Sequence, residues 1–203
     1  MSSLRSKKAP LPPEKNEARL LAAAVRCFEK YGIEKTFIED IAKEAGLSRP
    51  TAYRAFKNRR DLLERVAQER ISGMEIRMRL RMLRYGSFEE ALVRGAASSM
   101  RESRQDKIFM AVLTALGDDG LERYLLHPKS PVKANIGNIW GDTIDKAKLS
   151  GELKQGLSKA DVVNWIIAVE CILLLKNELS TKGQEEFLRK FMVPALIADS
   201  HRL

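Results

Sequence analysis

Only Gly46, Leu47 and Ser48 lie between the helix-spaced residues that end at Ala45 and the new helix announced by Arg49-Pro50. A glycine can end a helix in the left-handed region. Serine two residues later caps the next helix, and a proline in that helix's first turn loses no hydrogen bond. Two helices joined this closely must meet at a sharp corner, and both need apolar inner faces. Ile38, Ile41, Ala45, Leu47, Ala52, Phe56 and Leu62 supply such faces and are expected core residues.

The rest of the chain reads as helix as well. Leu20, Leu21, Ala24, Val25 and Phe28 recur at helical spacing, so the first helix is expected from Glu14 to Tyr31, stopped by Gly32. Thr36, with Glu39 three residues on, is expected to cap the second helix through a capping box. Asn58 is expected to cap a long fourth helix running from Arg59 toward Arg84. Breaks at Tyr85-Gly86, at residues 117–120 and at His127-Pro128, with caps at Ser87, Ser130 and Ser158, divide the remainder. A last helix is expected from Gln184 to Ala198, bent at Pro194. No alternating β-branched run is present, so strands are not expected. The fold class is all-α, about nine helices, with a small N-terminal domain joined to a larger helical one by the fourth helix. The expected division is a disordered basic arm over 1–13, a small helical domain over 14–60 and a larger helical domain over 61–203.

Charge separates the same regions. Of the 203 residues, the first sixty hold fourteen Lys/Arg against seven Asp/Glu, and the rest twenty-two against twenty. A basic first third beside a near-neutral remainder points to an anionic partner for that third, nucleic acid before membrane. Cys27 and Cys171 are far apart in apolar contexts, so neither a metal nor a disulfide is indicated and both read as buried thiols. The opening MSSLRSKKAPLPPEK has no apolar run of signal-peptide length, and no stretch reaches membrane-spanning length. A cytoplasmic protein is expected.

A helix, a tight glycine turn and a short second helix form a helix-turn-helix, whose second helix enters the major groove by its N-terminal end. Arg49 offers a planar fork suited to guanine edges. Pro50 offers an apolar face for a thymine methyl, and Thr51 and Tyr53 hydroxyls for phosphate. The run Thr36-x4-Ile41-Ala42-x2-Ala45-Gly46-Leu47-Ser48-x2-Thr51-x-Tyr53-x2-Phe56, followed by Lys57-Asn58-Arg59 and Leu62-Leu63, closely resembles the signature of the tetracycline-repressor (TetR) family. The resemblance covers residues 14–63. It implies a homodimeric repressor of transcription that binds a double-stranded operator and responds to a ligand. It also implies base contacts at Arg49, Pro50 and Arg54, phosphate contacts at Thr36, Thr51 and Tyr53, and a backbone grip at Arg59. Ser48 belongs to the set as the cap, and Lys57 as a neighbouring cation. Ala55 departs from the family, which often carries His or Tyr there, and Arg54 or Lys57 stand ready to compensate.

Beyond residue 63 the two histidines, His127 and His201, have no partners that suggest catalysis, and an enzyme is not expected. A sensing pocket should be apolar with a few placed polar groups. Its candidates are Met100, Phe109, Met110, Leu113, Trp140, Trp165 and Glu170, with Tyr124 and Asn135 to orient a ligand. So apolar a set implies a small hydrophobic or amphipathic effector. The helix over residues 161–179 is apolar around more of its circumference than one core needs. With the final helix it is the expected homodimer surface, over residues 161–198. The competing reading is a DNA-binding architectural or partner-binding protein with a solid helical core.

Overall fold

The computed structural model describes residues 13–127, 130–175 and 179–199. The arm expected over 1–13 lies, save Pro13, outside them, as does His201. The described residues form α1 (Pro13–Tyr31), α2 (Ile38–Glu44), α3 (Arg49–Ala55), α4 (Arg59–Met82), α5 (Phe88–Glu90), a π turn (Ala91–Gly95) and α6 (Ala96–Gln105). After these come α7 (Lys107–Leu126), α8 (Pro131–Leu149), α9 (Lys159–Leu175), α10 (Thr181–Phe191) and α11 (Val193–Leu196). Two compact units result, divided between Val66 and Ala67, a point inside α4.

The first unit closes around Leu20, Ala24, Phe28, Ile41, Ala52, Phe56, Leu62 and Val66, all buried. Leu47 alone among the expected core residues stays half-buried. Gly46 has φ +64, in the left-handed region that a side chain would strain, so it can end α2 where other residues resist. Arg19 of α1 donates to the Ala45 carbonyl at 2.7 Å and ties the turn to the first helix.

The cap of α2 differs from the sequence expectation. Phe37, not Thr36, occupies the N-cap, and the Asp40 carboxylate, not Glu39, accepts its backbone N–H at 3.0 Å. Thr36 falls one residue short of the helix, and its hydroxyl turns back to donate to the Gly32 carbonyl at 2.8 Å. The α3 and α4 caps form as the sequence indicates. Ser48 Oγ accepts from the Thr51 N–H at 3.3 Å, and Asn58 Oδ1 from the Asp61 N–H at 2.9 Å. Asp61 returns the second bond to the Lys57 N–H at 2.9 Å.

In the second unit α9 packs on α8, α6 and α7, with Trp140, Ile166 and Leu173 wholly buried. The π turn ends on Gly95, where an added Cβ would come within 2.4 Å of Met82 Sδ. The break expected at residue 117 is present as a kink within α7, where Gly117 has φ 69 and ψ 173. Ser158 and Asp161 cap α9 reciprocally, at 2.9 and 3.2 Å. The α10 helix begins three residues before Gln184, because Ser180 Oγ accepts the Gly183 N–H at 3.2 Å. It breaks beside Pro194, as expected. Among the described residues the extended structure is one isolated bridge, Leu153 against Ile197, flanked by bonds from Lys154 N–H to Leu196 and from Ala198 N–H to Glu152, each 2.9 Å.

Candidate nucleic-acid interface and ligand cavity

The leading edge of α3 is built from exposed, donor-rich side chains. Arg49, Pro50, Tyr53 and Arg54 are exposed, and Thr51 is half-exposed. The Arg49 guanidinium makes no hydrogen bond or ion pair with any described residue. Arg54 donates to Thr51 Oγ1 at 3.2 Å, and Ser48 and Thr51 share a hydroxyl–hydroxyl bond of 2.8 Å. Lys57 is exposed just beyond the helix, and Ala55 is half-buried and offers only a methyl group.

Tyr53 is 48% exposed and therefore not a core aromatic; its hydroxyl donates to Glu39 Oε1 of α2 at 2.8 Å. That bond holds the Glu39 carboxyl below its usual range and raises the Tyr53 phenol, with Arg49's charge lowering both. The ring is thus held on the face of α3 that also carries Arg49.

Two expected phosphate contacts are spent elsewhere. Thr36 is only 1% exposed and its hydroxyl is committed inward, so it has no free donor for phosphate. Arg59 is likewise turned to the protein. Its Nη1 donates to the Thr36 carbonyl and its Nη2 to the Ile33 carbonyl, both at 2.8 Å, and Glu34 lies 3.5 Å away. A planar fork fits two convergent carbonyls as it would two phosphate oxygens. Here it clamps the start of α4 onto the loop between α1 and α2.

Inside the second unit lies a cavity of about 60 Å³. Met100, Phe109, Trp140 and Glu170, all anticipated from the sequence, line it together with Ile71, Met74 and Met78 of α4, Ser99 and Ser103 of α6, and Cys171. Glu170 is 5% exposed, and its Oε1 has no hydrogen-bond partner; the same is true of Ser99 Oγ. Burial pushes the Glu170 carboxyl up to about 8, against a lowering hydrogen bond from the Trp140 indole. Cys171, half-buried rather than buried, is pushed up to about 12 by burial and then by the Glu170 charge.

Five other ligand candidates do not reach the cavity. Trp165 is 40% exposed on the outer face of α9, because α9 turns its 166, 167 and 170 positions inward. Asn135 is buried as a tie between helices: it donates to Glu75 at 2.7 Å and Ser72 at 3.2 Å, and accepts from Gln68 at 2.6 Å. Leu113 and Tyr124 are buried and Met110 half-buried without lining it. The α4 wall was missed, although Ile71, Met74 and Met78 follow the i, i+3, i+7 spacing of one helix face.

Comparison with known proteins agrees with this geometry. Residues 20–66 match the family model for bacterial regulatory proteins of the tetR family. An uncharacterised HTH-type transcriptional regulator of Mycobacterium tuberculosis is 30% identical over 95 residues, covering 47% of this chain and 48% of that protein. A regulator of Mycobacterium bovis, described in the same words, matches equally. The chain thus spans about half the length of the curated relatives it matches. Among solved structures, RolR in complex with resorcinol superposes with a TM-score of 0.65 at 16% identity, over 91% of this chain and 88% of that one. FadR of Bacillus subtilis in complex with stearoyl-CoA gives 0.59 at 21% identity, over 87% and 97%. These likenesses extend the shared all-helical fold across both units. Residues 20–66 thus carry the N-terminal helix-turn-helix of the tetR family of bacterial regulatory proteins.

Proposed function

We propose that this chain is a ligand-responsive repressor of transcription. In this reading it binds a palindromic operator as a homodimer and is released by a small hydrophobic or amphipathic effector. The observation that carries the reading is the cavity in the second unit, apolar in its walls yet holding a buried carboxyl with one unpartnered oxygen and an unpartnered hydroxyl. A solid helical core, as an architectural DNA-binding protein would have, closes over such groups or lacks them.

DNA contact is assigned to Arg49, Pro50 and Arg54 at base edges and to Thr51, Tyr53 and Lys57 at phosphates, with Ser48 holding the helix that presents them. The homodimer surface is assigned to α9 and α10, where Trp165, Ile172 and Phe191 are exposed. Large apolar side chains left in water on these helices favour a second copy as their cover. Two subunits would then present two α3 helices to half-sites about one helical turn apart or a multiple of it.

The cavity gives the coupling a physical form. A volume of about 60 Å³ is smaller than the ~150 Å³ of an apolar cavity that takes up benzene. An effector must therefore displace wall residues, and the flexible Met74 and Met78 of α4 give way most readily. Since α4 also begins beside α3 in sequence, a shift of that helix would favour a dimer mismatched to its operator. The test is selection of bound duplexes from a random pool, followed by mobility shift with an effector panel. Enrichment of a two-fold symmetric site that some small apolar ligand releases supports the reading; binding indifferent to sequence and to every ligand contradicts it.

A further inference from the structure

The chemistry of the cavity narrows the effector further, on the reading that the cavity is the effector site. Its apolar walls are aliphatic side chains, joined by Met74, Met78 and Met100 and by the Phe109 and Trp140 rings. Among the described residues no lysine, arginine or histidine lines it. Among the described lining residues Glu170 is the one carboxyl, nearly fully buried, with Oε1 lacking a hydrogen-bond partner and Ser99 Oγ lacking one too. A buried carboxyl without a counter-charge is costly, and the protein lines this pocket with none.

We propose that the cavity takes a lipophilic monocation, an aryl- or alkylamine, whose ammonium pairs with Glu170 while its apolar body lies among the methionines and the Trp140 and Phe109 rings. The ammonium supplies the donor that Oε1 lacks, and Ser99 Oγ can accept a second N–H. The indole and phenyl rings can add cation–π attraction in so apolar a site, and methionine fits apolar bodies of varied shape. A carboxylate ligand would find no basic side chain to pair with among the described lining residues.

The proton balance follows from the groups present. In the empty pocket Glu170 holds its proton at neutral pH, since burial raises it to about 8. The described α4, α6, α7 and α8 residues that line the cavity carry no titratable group, and the neighbouring Cys171 thiol, near 12, stays protonated. Arg104 of α6 is engaged with the Leu173 carbonyl. When an ammonium binds, the carboxyl ionises, the ion pair forms and one proton passes to solvent.

Titration calorimetry on the full chain at pH 7 distinguishes the possibilities, with phenethylamine, phenethyl alcohol and 3-phenylpropionate as probes. The amine is expected to bind at least about tenfold tighter than the alcohol. It should release close to one proton, read from the difference between buffers of unlike ionisation enthalpy. Glu170→Gln should remove the amine's advantage and its proton release while changing the alcohol's affinity far less than the amine's. Equal or tighter binding of the alcohol or the carboxylate overturns the cation proposal and leaves the effector site standing. Amine binding without proton release, unchanged by Glu170→Gln, also overturns it. Failure of all three probes to bind overturns both the cation proposal and the effector-site reading.

Discussion

The Tyr53 hydroxyl of α3 donates to the Glu39 carboxylate of α2 across 2.8 Å, so the donor assigned to DNA phosphate is already engaged in the free protein. On the proposed assignment, binding DNA would exchange one anionic acceptor for another. Glu39→Gln removes a negative charge from a surface meant to meet phosphate and weakens the competing acceptor. It is expected to tighten DNA binding by roughly a few-fold at low salt, with the gain fading as salt rises. Tyr53→Phe is expected to weaken binding without changing the thermal midpoint appreciably. Filter binding or anisotropy across a salt series checks both.

Arg59 is a structural clamp, and its variants should behave accordingly. Arg59→Ala leaves the Ile33 and Thr36 carbonyls without their donor, at an expected cost of about 1–3 kcal/mol in stability, reduced by the residue's partial exposure. Arg59→Lys should recover little, because an ammonium cannot serve two carbonyls as a planar fork does. Denaturant melts measure the loss. DNA affinity measured well below the melting midpoint should change far less than for a phosphate-gripping residue.

Glu170 makes stability fall as pH rises. Its folded-state value of about 8 lies above the 4.5 of an unperturbed glutamate. Between those values the unfolded chain has released a proton that the folded chain retains, so the unfolded state is favoured progressively from about pH 4.5 to 8. The loss is on the order of a few kcal/mol, complete above the folded value. Glu170→Gln removes it, so the variant should melt higher than the parent at pH 8 and much closer to it at pH 5. Melting curves over that range are the check, and an unchanged pH slope would count against the buried acid.

The exposed apolar residues of α9 and α10 predict the behaviour of the assembly. Ile172→Glu places a charge where a subunit face is proposed, and together with Trp165→Arg it should yield monomers by light scattering. Each unit should keep its helical circular dichroism, since both side chains lie outside the core. Operator affinity should fall steeply as the two half-sites lose their linkage.

The helix-turn-helix was legible in the sequence because short-range chemistry determines it. Gly46, Ser48, Pro50 and Asn58 each act within three residues of their own position, and each does what its side chain dictates. Thr36 and Arg59 were misread because both turn to carbonyls of the loop between α1 and α2, Gly32 for Thr36 and Ile33 and Thr36 for Arg59, and no local pattern records how that loop folds. The cavity was half legible. Trp140 and Glu170 stood out as unusual groups in apolar helices, whereas Trp165 drew the same inference and faces outward, a difference set by the rotation of α9. Asn135 looked like a ligand contact and is a cross-helix tie, since a buried amide is satisfied as well by Gln68 and Glu75 as by any effector.

The most direct test concerns Arg49, whose guanidinium is exposed at the start of α3 and has no hydrogen-bond or ion-pair partner among the described residues. Duplex selection is repeated with wild type and with Arg49→Ala, and the affinity of each is measured for the enriched site and for that site altered one base pair at a time. Loss of about 1–3 kcal/mol on the enriched site, with discrimination relaxed at one guanine of each half-site, is the expected result. An Arg49→Ala protein that selects the same sequence with the same preference at every position would contradict the assignment of α3 as the reading helix.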